Sequence, residues 1–454
     1  LRVLAYIYPM QRKFWPKKQK IYLIGMGGVS MSALAACLLS AGFTVAGSDL
    51  CRNERTAELE ARGVAFVCGH APERAARSDA VVYSSAVPES DPELAAARAA
   101  GIPVYDRAEL LALIASCFEI SVGIAGCHGK TTATAMCAHV LQACGGCTAH
   151  IGGEDLDYGS YFEGGNRCFV TEVCEYRGNI RKLRPTVAVV LNTDADHLEC
   201  YGSAEALFDA YAAYARSAPA AVVCGDDPIC SAVRPALTFG FSEKCDVRAL
   251  RLRSSGGRYS FTLNIHGEPC GRIRLYVYGK HNVYNALAAA AVAEQCGFPP
   301  ALTAVGLAGF RGIRRRFERL GKLYGAELIA DYAHHPREIA AALQTAREAF
   351  GGRLFVVFQP HTYSRTRLLF DDFLSVLSGV EDLVIFKTFP AREYFDAAGS
   401  ALTLAEKLPN ALYIETLREL SVYLRCSLHA GDTALFLGAG DIYYAVKRLL
   451  NAKF

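Results

Sequence analysis

The sequence lacks a charge excess of either sign: 48 Lys and Arg stand against 45 Asp and Glu, a formal net charge of +3 over 454 residues. So even a balance carries no signature of nucleic-acid or acidic-membrane binding. Also missing are low-complexity segments and short repeats, and no apolar run reaches the ~18 residues of a membrane-spanning helix. Hydrophobic residues are 52% and charged residues 20%, which excludes disorder and leaves apolar side chains for a core in every part. A disulfide framework is absent too. The 17 cysteines are odd in number and scattered along the chain, whereas a secreted scaffold would be short and cysteine-dense. The close pair Cys144-Gly-Gly-Cys147 trails a helical pattern instead of opening one, and no second pair completes a zinc site. The cysteines read as incidental thiols of a reducing cytoplasm. Residues 1–20 begin with Leu, are interrupted by Pro9 and Pro16, and lack the basic start and long apolar core of a signal peptide. They read as a strand or an extension.

What is present is alternation. At about 150 residues per domain the length suggests three domains. Short β-rich runs alternate with longer Ala/Leu-rich helical runs, the pattern of parallel α/β architecture. KIYLIGMGG reads as a strand entering a glycine turn, MSALAACLLSAG as a helix closed by Gly42, and FTVAGSD and AVVYSSA as further strands. ISVGIAGCHGKTT again reads strand, glycine loop, helix; RCFVTEV and TVAVVLNTDADH are strands ending in acidic or His residues. After residue 313 the alternation restarts with ELIADYAHHP, RLFVVFQPH, DLVIFKTFPARE and DTALFLGAGD. The blocks are 1–116, 117–312 and 313–454. In open α/β sheets ligands bind beyond the carboxyl ends of strands, so these polar tips are the functional candidates.

Two glycine loops carry the first chemistry. Gly25-Met-Gly27-Gly28-Val-Ser30 is a partial dinucleotide fingerprint with Ser30 at the third glycine position. Its turn still lets backbone N–H groups approach a pyrophosphate, and Asp49 ends the next strand where a ribose or base would lie. Gly126-Cys127-His128-Gly129-Lys130-Thr131-Thr132 is a shortened P-loop, since Ile124 holds the strict motif's first glycine position. Its amides can cradle phosphate, Lys130 can bridge β- and γ-phosphates, and Thr131 can sit on Mg²⁺. Mg²⁺ takes oxygen ligands and keeps waters, so one or two carboxylates suffice. Glu172 and Glu175, and Asp194, Asp196 and His197, follow strands just after this loop. Arg314-Arg315-Arg316 at the second boundary reads as a clamp on nucleotide phosphates, or as a solvated linker. His334-His335, His361, Arg365 and Arg367 lie beyond strands of the third block and read as substrate contacts more than metal ligands.

Taken together, IGMGGVSMSALA, VAGSD, VVYSSAVP, GIPVYDRAELL, AGCHGKTT, TEVCEYRGNI, LNTDADHLECYG, GKHNVYNALAAAAV, FRGIRRRFERLG, DYAHHPREI, FQPHTYSRT, PARE and GAGDI, in that order, resemble the Mur ligase family from about residue 20 to the C-terminus. The resemblance implies α/β architecture in three domains: an N-terminal Rossmann-like UDP-sugar domain, a central P-loop ATPase-type domain and a C-terminal Rossmann-like amino-acid domain. It implies a cytoplasmic, ATP- and Mg²⁺-dependent enzyme with UDP-N-acetylmuramate and L-alanine as substrates, working through an acyl phosphate. It places Gly126 to Thr132 on the ATP phosphates and Thr131, Glu172 and His197 at magnesium. It places His281, Asn282 and Asn285 at adenine, and Arg316 and Asp331 on ATP from the last domain. Tyr332, His334, His361 and Arg365 would surround L-alanine and the reacting centre. Gly27, Gly28, Asp49, Ser84 and Ser85 would meet the UDP moiety. Lys130, His197, His334, His361 and Arg365 are thus the expected catalytic groups.

Three positions depart from the family pattern: Ala330-Asp331 replaces a paired Asp, Glu199 replaces an Asp, and Cys127 stands where Thr is usual. Cys127 suggests a loop sensitive to thiol oxidation. The nearest rival is a sister ligase that joins a recycled peptide to the same sugar nucleotide. A nicotinamide-dependent dehydrogenase would leave the P-loop and third block unexplained, and a silent nucleotide-binding protein would not need Lys130, Glu172 and His197. The sequence carries no signal of oligomeric state.

Overall fold

The computed structural model describes residues 19–194, 201–233 and 235–451. The expected α/β architecture is present as three parallel-rich sheets, one in each block. By compactness the chain divides into two units: one runs to Leu252 and takes up Ser260–Leu275 and Asn282–Arg311, and the other holds Arg253–Tyr259, Tyr276–His281 and everything from Gly312 onward.

The first sheet has five parallel strands in the order Ala65–Cys68, Thr44–Asp49, Lys20–Ile24, Ala80–Tyr83 and Val104–Asp106. Both faces of its central strand are covered, so Ile21, Tyr22 and Leu23 are fully buried and the run is continuously apolar. The strand order reverses beside Lys20–Ile24, the crevice where a ligand fits in such a sheet. Two loops meet there: a Cβ on Gly25 would lie 3.1 Å from the Cβ of Ser84. Helix Val29–Ser40 follows the glycine turn and, as expected, stops at Gly42, whose φ of +82° only glycine adopts without strain.

In the second sheet strand Ile120–Ala125 lies between Val187–Val190 and Cys168–Glu172, all parallel. Glu172 and the Asn192 region therefore flank the end of Ile120–Ala125. Gly123 lets this strand pack closely, since a Cβ would come 2.8 Å from Leu183. Beyond Leu237–Gly240 the sheet continues through Val247–Ser255, Arg258–Ile265 and Glu268–Tyr278, which the α/β reading passed over. Their turns were legible: Gly256-Gly257 and His266-Gly267 all have positive φ, the geometry of two-residue hairpin turns.

The third sheet runs Glu318–Leu323, Ala326–Asp331, Thr433–Leu437, Leu354–Phe358, Asp382–Phe386 and Ala411–Ile414, parallel except for the first pair. Two apolar clusters cover its faces, one around Ile329, Val356, Ile385 and Leu435, the other around Leu328, Val357, Val384 and Phe436. Consecutive residues face opposite layers, so alternate side chains fill each cluster.

Candidate active site

The P-loop is shaped by the strand ends beside it. Gly126 turns the chain at φ +137°, and a Cβ there would lie 3.2 Å from Asn192 N. Gly129 caps the 14-residue helix Lys130–Ala143 at φ +83°, with no room for a Cβ because the Asn285 side-chain oxygen would be 2.6 Å away. The Nδ2 of Asn285 in turn donates to Asn282 Oδ1 at 2.9 Å. Asn285 therefore lies over the loop, with Asn282 beside it. His128 is gripped on both sides of its peptide unit: its N–H donates to Asn192 Oδ1, and its carbonyl accepts from Asn192 Nδ2, each at 2.9 Å. Its imidazole Nε2 lies 3.1 Å from Asp194 Oδ2. The free N–H groups at the helix start form the ready-made phosphate site of such loops.

Lys130 curls back over this loop. Its Nζ donates to Gly126 O at 2.6 Å, Cys127 O at 3.2 Å and Glu175 Oε1 at 3.0 Å. Burial works against its charge, but the Glu175 carboxylate outweighs that and drives its pKa up, so the ammonium persists. Beside it the Thr131 hydroxyl donates to Glu172 Oε2 at 2.9 Å. These are two hard oxygen donors at the mouth of a phosphate loop, and they fit Mg²⁺, which needs few protein ligands. Glu172 is half-buried with its carboxylate against Gly152. Thr132 is half-buried in the first turn of the helix. His197 lies outside the described residues.

Cys127 is corrected by its surroundings. The thiol is buried, donates to Asp194 O at 3.0 Å and accepts from Asp194 N at 3.1 Å. Burial pushes its pKa up to about 11, so it holds little of the thiolate that oxidation requires. It acts as a loop strut rather than a sensor.

In the first sheet Asp49 accepts the Gly27 N–H at 2.8 Å, and the Gly27 carbonyl accepts from Asn53 Nδ2 at 3.1 Å and Arg55 Nε at 2.9 Å. Asp49 thus shapes the turn, a task the expectation of a direct ribose contact left out. Gly28 opens helix Val29–Ser40, and Ser84 and Ser85 are half-buried beyond strand Ala80–Tyr83.

The second unit gathers the third-block residues. His334 and His361 meet edge to face at 5.8 Å between ring centres, and Tyr332 lies 5.4 Å from His334. Burial pushes both imidazoles down to about 4, and the nearby charge of Arg365 adds to that. They are neutral at pH 7. Thr362, next to His361, sits at φ +66°, a strained value for a β-branched residue. Burial likewise holds His281 down to about 4, with Arg316 contributing.

Asp331 accepts backbone N–H groups of Phe317 and Ala333, both at 2.7 Å, and burial raises its pKa to about 6. It pins the segment that carries Arg316. Arg315 and Arg316 differ in what they meet. Arg315 donates to the carbonyls of Ala439 and Gly440 at 2.9 and 2.8 Å, which removes it from the expected clamp. Arg315 and Arg316 hold their guanidinium carbons 4.6 and 5.0 Å from the Tyr332 ring centre. His335 caps helix Pro336–Ala349, and Arg367 pairs with Asp396 at the surface. Sequence reasoning missed Asn192 and left Glu175 in doubt. The signal for Glu175 was its place three residues after Glu172.

Models of the Mur ligase family match along the chain: the Mur ligase family catalytic domain at residues 20–119, the Mur ligase middle domain at 124–293, and the Mur ligase glutamate ligase domain at 315–440. A UDP-N-acetylmuramate–L-alanine ligase of Clostridium novyi (strain NT) is 37% identical, covering 96% of this chain and 98% of its own. The enzyme of the same name from Acetivibrio thermocellus is 38% identical, covering 96% and 97%. The crystal structure of UDP-N-acetylmuramate-alanine ligase MurC from Thermotoga maritima superposes with a TM-score of 0.82 at 30% identity, over 95% of this chain and 98% of that one. A murein peptide ligase from Psychrobacter arcticus gives 0.72 at 20% identity over 95% and 98%, a likeness of fold. The chain belongs to the Mur ligase family.

Proposed function

We propose that this chain joins L-alanine to the lactyl carboxylate of UDP-N-acetylmuramate, converting ATP to ADP and phosphate, as a cytoplasmic step of peptidoglycan precursor synthesis. The observation that carries the reaction class is the Lys130 ammonium beside the Thr131–Glu172 oxygen pair on one phosphate loop. The full-length relatives of that name supply the substrates. Residues 1–116 would bind the UDP-sugar, 117–312 ATP, and 313–454 the amino acid.

A carboxylate is a poor electrophile because its oxygen leaves badly. Transfer of the ATP γ-phosphoryl group to the lactyl carboxylate gives an acyl phosphate and ADP. The amine of L-alanine then attacks the carbonyl carbon, and the tetrahedral species expels phosphate to leave the amide. In this scheme the amides from Gly126 to Thr132 orient the phosphates, and Lys130 supplies a positive charge to the β- and γ-oxygens. Thr131 and Glu172 would hold Mg²⁺, which when bound offsets charge on the phosphate oxygens. Asn282, Asn285 and His281 would flank adenine, with Arg316 and Asp331 on the nucleotide from the last domain. Arg365 would take the carboxylate of L-alanine. Neutral His334 donates from Nδ1 to the Tyr332 carbonyl at 3.0 Å, and its Nε2, with His361 and Tyr332, would orient the amine and the reacting centre. Gly27, Gly28, Asp49, Ser84 and Ser85 would position the UDP moiety.

The test is phosphate release from the purified chain with Mg²⁺-ATP, UDP-N-acetylmuramate and one acceptor at a time. Release that requires both the sugar nucleotide and L-alanine supports the reading. Release with a tripeptide but no amino acid would assign the chain to peptide recycling instead.

A further inference from the structure

The strand Cys147–Asp155 carries a buried histidine that the reaction scheme does not use. His150 is 2% exposed, and its ring is bonded at both nitrogens. On one side Nε2 lies 2.9 Å from the Ser30 hydroxyl, at the start of the helix that follows the first glycine loop. On the other, Nδ1 lies 3.0 Å from the Thr171 hydroxyl, its register partner in the neighbouring strand. Thr171 immediately precedes Glu172.

The bonds form one continuous chain. Arg107 Nη1 donates to the Ser30 hydroxyl oxygen at 3.1 Å. The Thr171 hydroxyl also reaches the Glu172 carbonyl at 3.2 Å. His150 Nε2 meets Ser30 at two atoms, its hydroxyl at 2.9 Å and its carbonyl at 3.3 Å. Burial, with the charge of Arg107, keeps this imidazole neutral. A second link runs between the same two elements: Arg55 donates to the Gly27 carbonyl at 2.9 Å and to Glu154 at 3.2 Å. Midway between His150 and Glu154, Gly152 backs the Glu172 carboxylate. One strand therefore reaches the first glycine loop by two routes, through Ser30 and through Arg55, and backs the Thr131–Glu172 pair at a third place.

We infer that His150 is a positioning residue that couples occupation of the first glycine loop by the sugar nucleotide to placement of Glu172 for Mg²⁺ and ATP. The inference rests on the functional reading of the two loops given above. Movement of Ser30 on ligand binding is carried through the buried ring to Thr171, because neither end can shift without stranding a buried polar group. Coupling of this kind is reciprocal: each ligand changes the other's affinity by the same factor.

The experiment is calorimetric binding of UDP-N-acetylmuramate to the full chain, with and without Mg²⁺ and a non-hydrolysable ATP analogue. In the unaltered protein the nucleotide is expected to shift sugar-nucleotide affinity by about fivefold or more, the usual lower range of such coupling. In His150→Phe the shift falls below about twofold, while each ligand still binds alone. Thr171→Val, which removes the Nδ1 partner and leaves the ring in place, shows the same loss. It decides the matter should His150→Phe fail to fold. Full coupling in all variants, or none in the unaltered protein, overturns the inference and leaves the functional reading intact. No binding of UDP-N-acetylmuramate to the unaltered protein overturns the functional reading and this inference with it.

Discussion

The Lys130 ammonium stands 3.0 Å from a Glu175 carboxylate oxygen, with Glu175 side-chain exposure of 1%. The pair gives the lysine two roles. In the proposed reaction it is the charge that meets the phosphates, and in the fold it neutralises an acid that would otherwise be buried alone. Lys130→Ala is therefore expected to abolish phosphate release and also to destabilise the protein, by up to about 3–5 kcal/mol for an orphaned buried charge. Lys130→Ala combined with Glu175→Gln is expected to recover most of the melting temperature and none of the activity. Equal melting temperatures for the single and double variants would contradict this.

Thr131 and Glu172 offer Mg²⁺ only oxygen. Glu172→Gln keeps the volume and the hydrogen bond from Thr131 but removes the charge. The Mg²⁺ concentration needed for half-maximal phosphate release is expected to rise by at least roughly 10- to 100-fold, the loss that removing only an outer partner of a metal ligand brings. A Mg²⁺ titration of the variant reads this directly; an unchanged midpoint would take Glu172 out of the metal site.

Acid should weaken the C-terminal unit. His281, His334 and His361 are each held down to about 4 from 6.5, first of all by burial. The unfolded chain takes up these protons near 6.5 and the folded one not until about 4, so stability falls as pH drops through that window. Asp331 works the other way. Its pKa is raised from 3.8 to about 6, so its contribution is present at low pH and lost as pH rises through 6. Three groups against one leave a net loss on acidification. Hydrogen exchange in residues 312–451 of the ligand-free protein should be faster at pH 5 than at pH 7 after correction for intrinsic rate. His361→Asn should reduce the difference.

Thiol reagents should spare the P-loop. Cys51, Cys68 and Cys426 are exposed, whereas Cys127 is buried with its pKa pushed up to about 11. Iodoacetamide at pH 7.5 is expected to label Cys51, Cys68 and Cys426 before Cys127, with phosphate release preserved. Cys127→Thr, whose hydroxyl can make the same two contacts with Asp194, is expected to stay within about 1 kcal/mol of the original stability. Early labelling of Cys127 with loss of activity would restore the idea of a sensitive loop.

How far the sequence reached depended on whether a feature was local. Alternation of apolar and helical runs exposed most strands of the three sheets, because burial on both faces forces such runs. The Gly256-Gly257 and His266-Gly267 turns were legible too, yet the strands they join are amphipathic and half-exposed, and a search for buried parallel strands passes over them. Motif spacing likewise located Gly126 to Thr132 and the acids after Thr171. It did not separate Arg315 from Arg316, since adjacent cations look alike until one of them meets the carbonyls of Ala439 and Gly440.

The amino-acid order by itself determined the α/β class, the two glycine loops and the family, because periodicity, turn chemistry and short motifs are properties of neighbouring residues. Only the tertiary structure decided which charges are spent and which are free to act. It assigned Glu175 to Lys130, Asn192 to His128, Asp331 to the linker N–H groups and His150 to both Ser30 and Thr171. Apart from the bond between Asp331 and the nearby Ala333 N–H, these pairs join residues 14 to 120 positions apart. Their energies arise from burial and direction, which exist only once separate strand ends have been brought side by side.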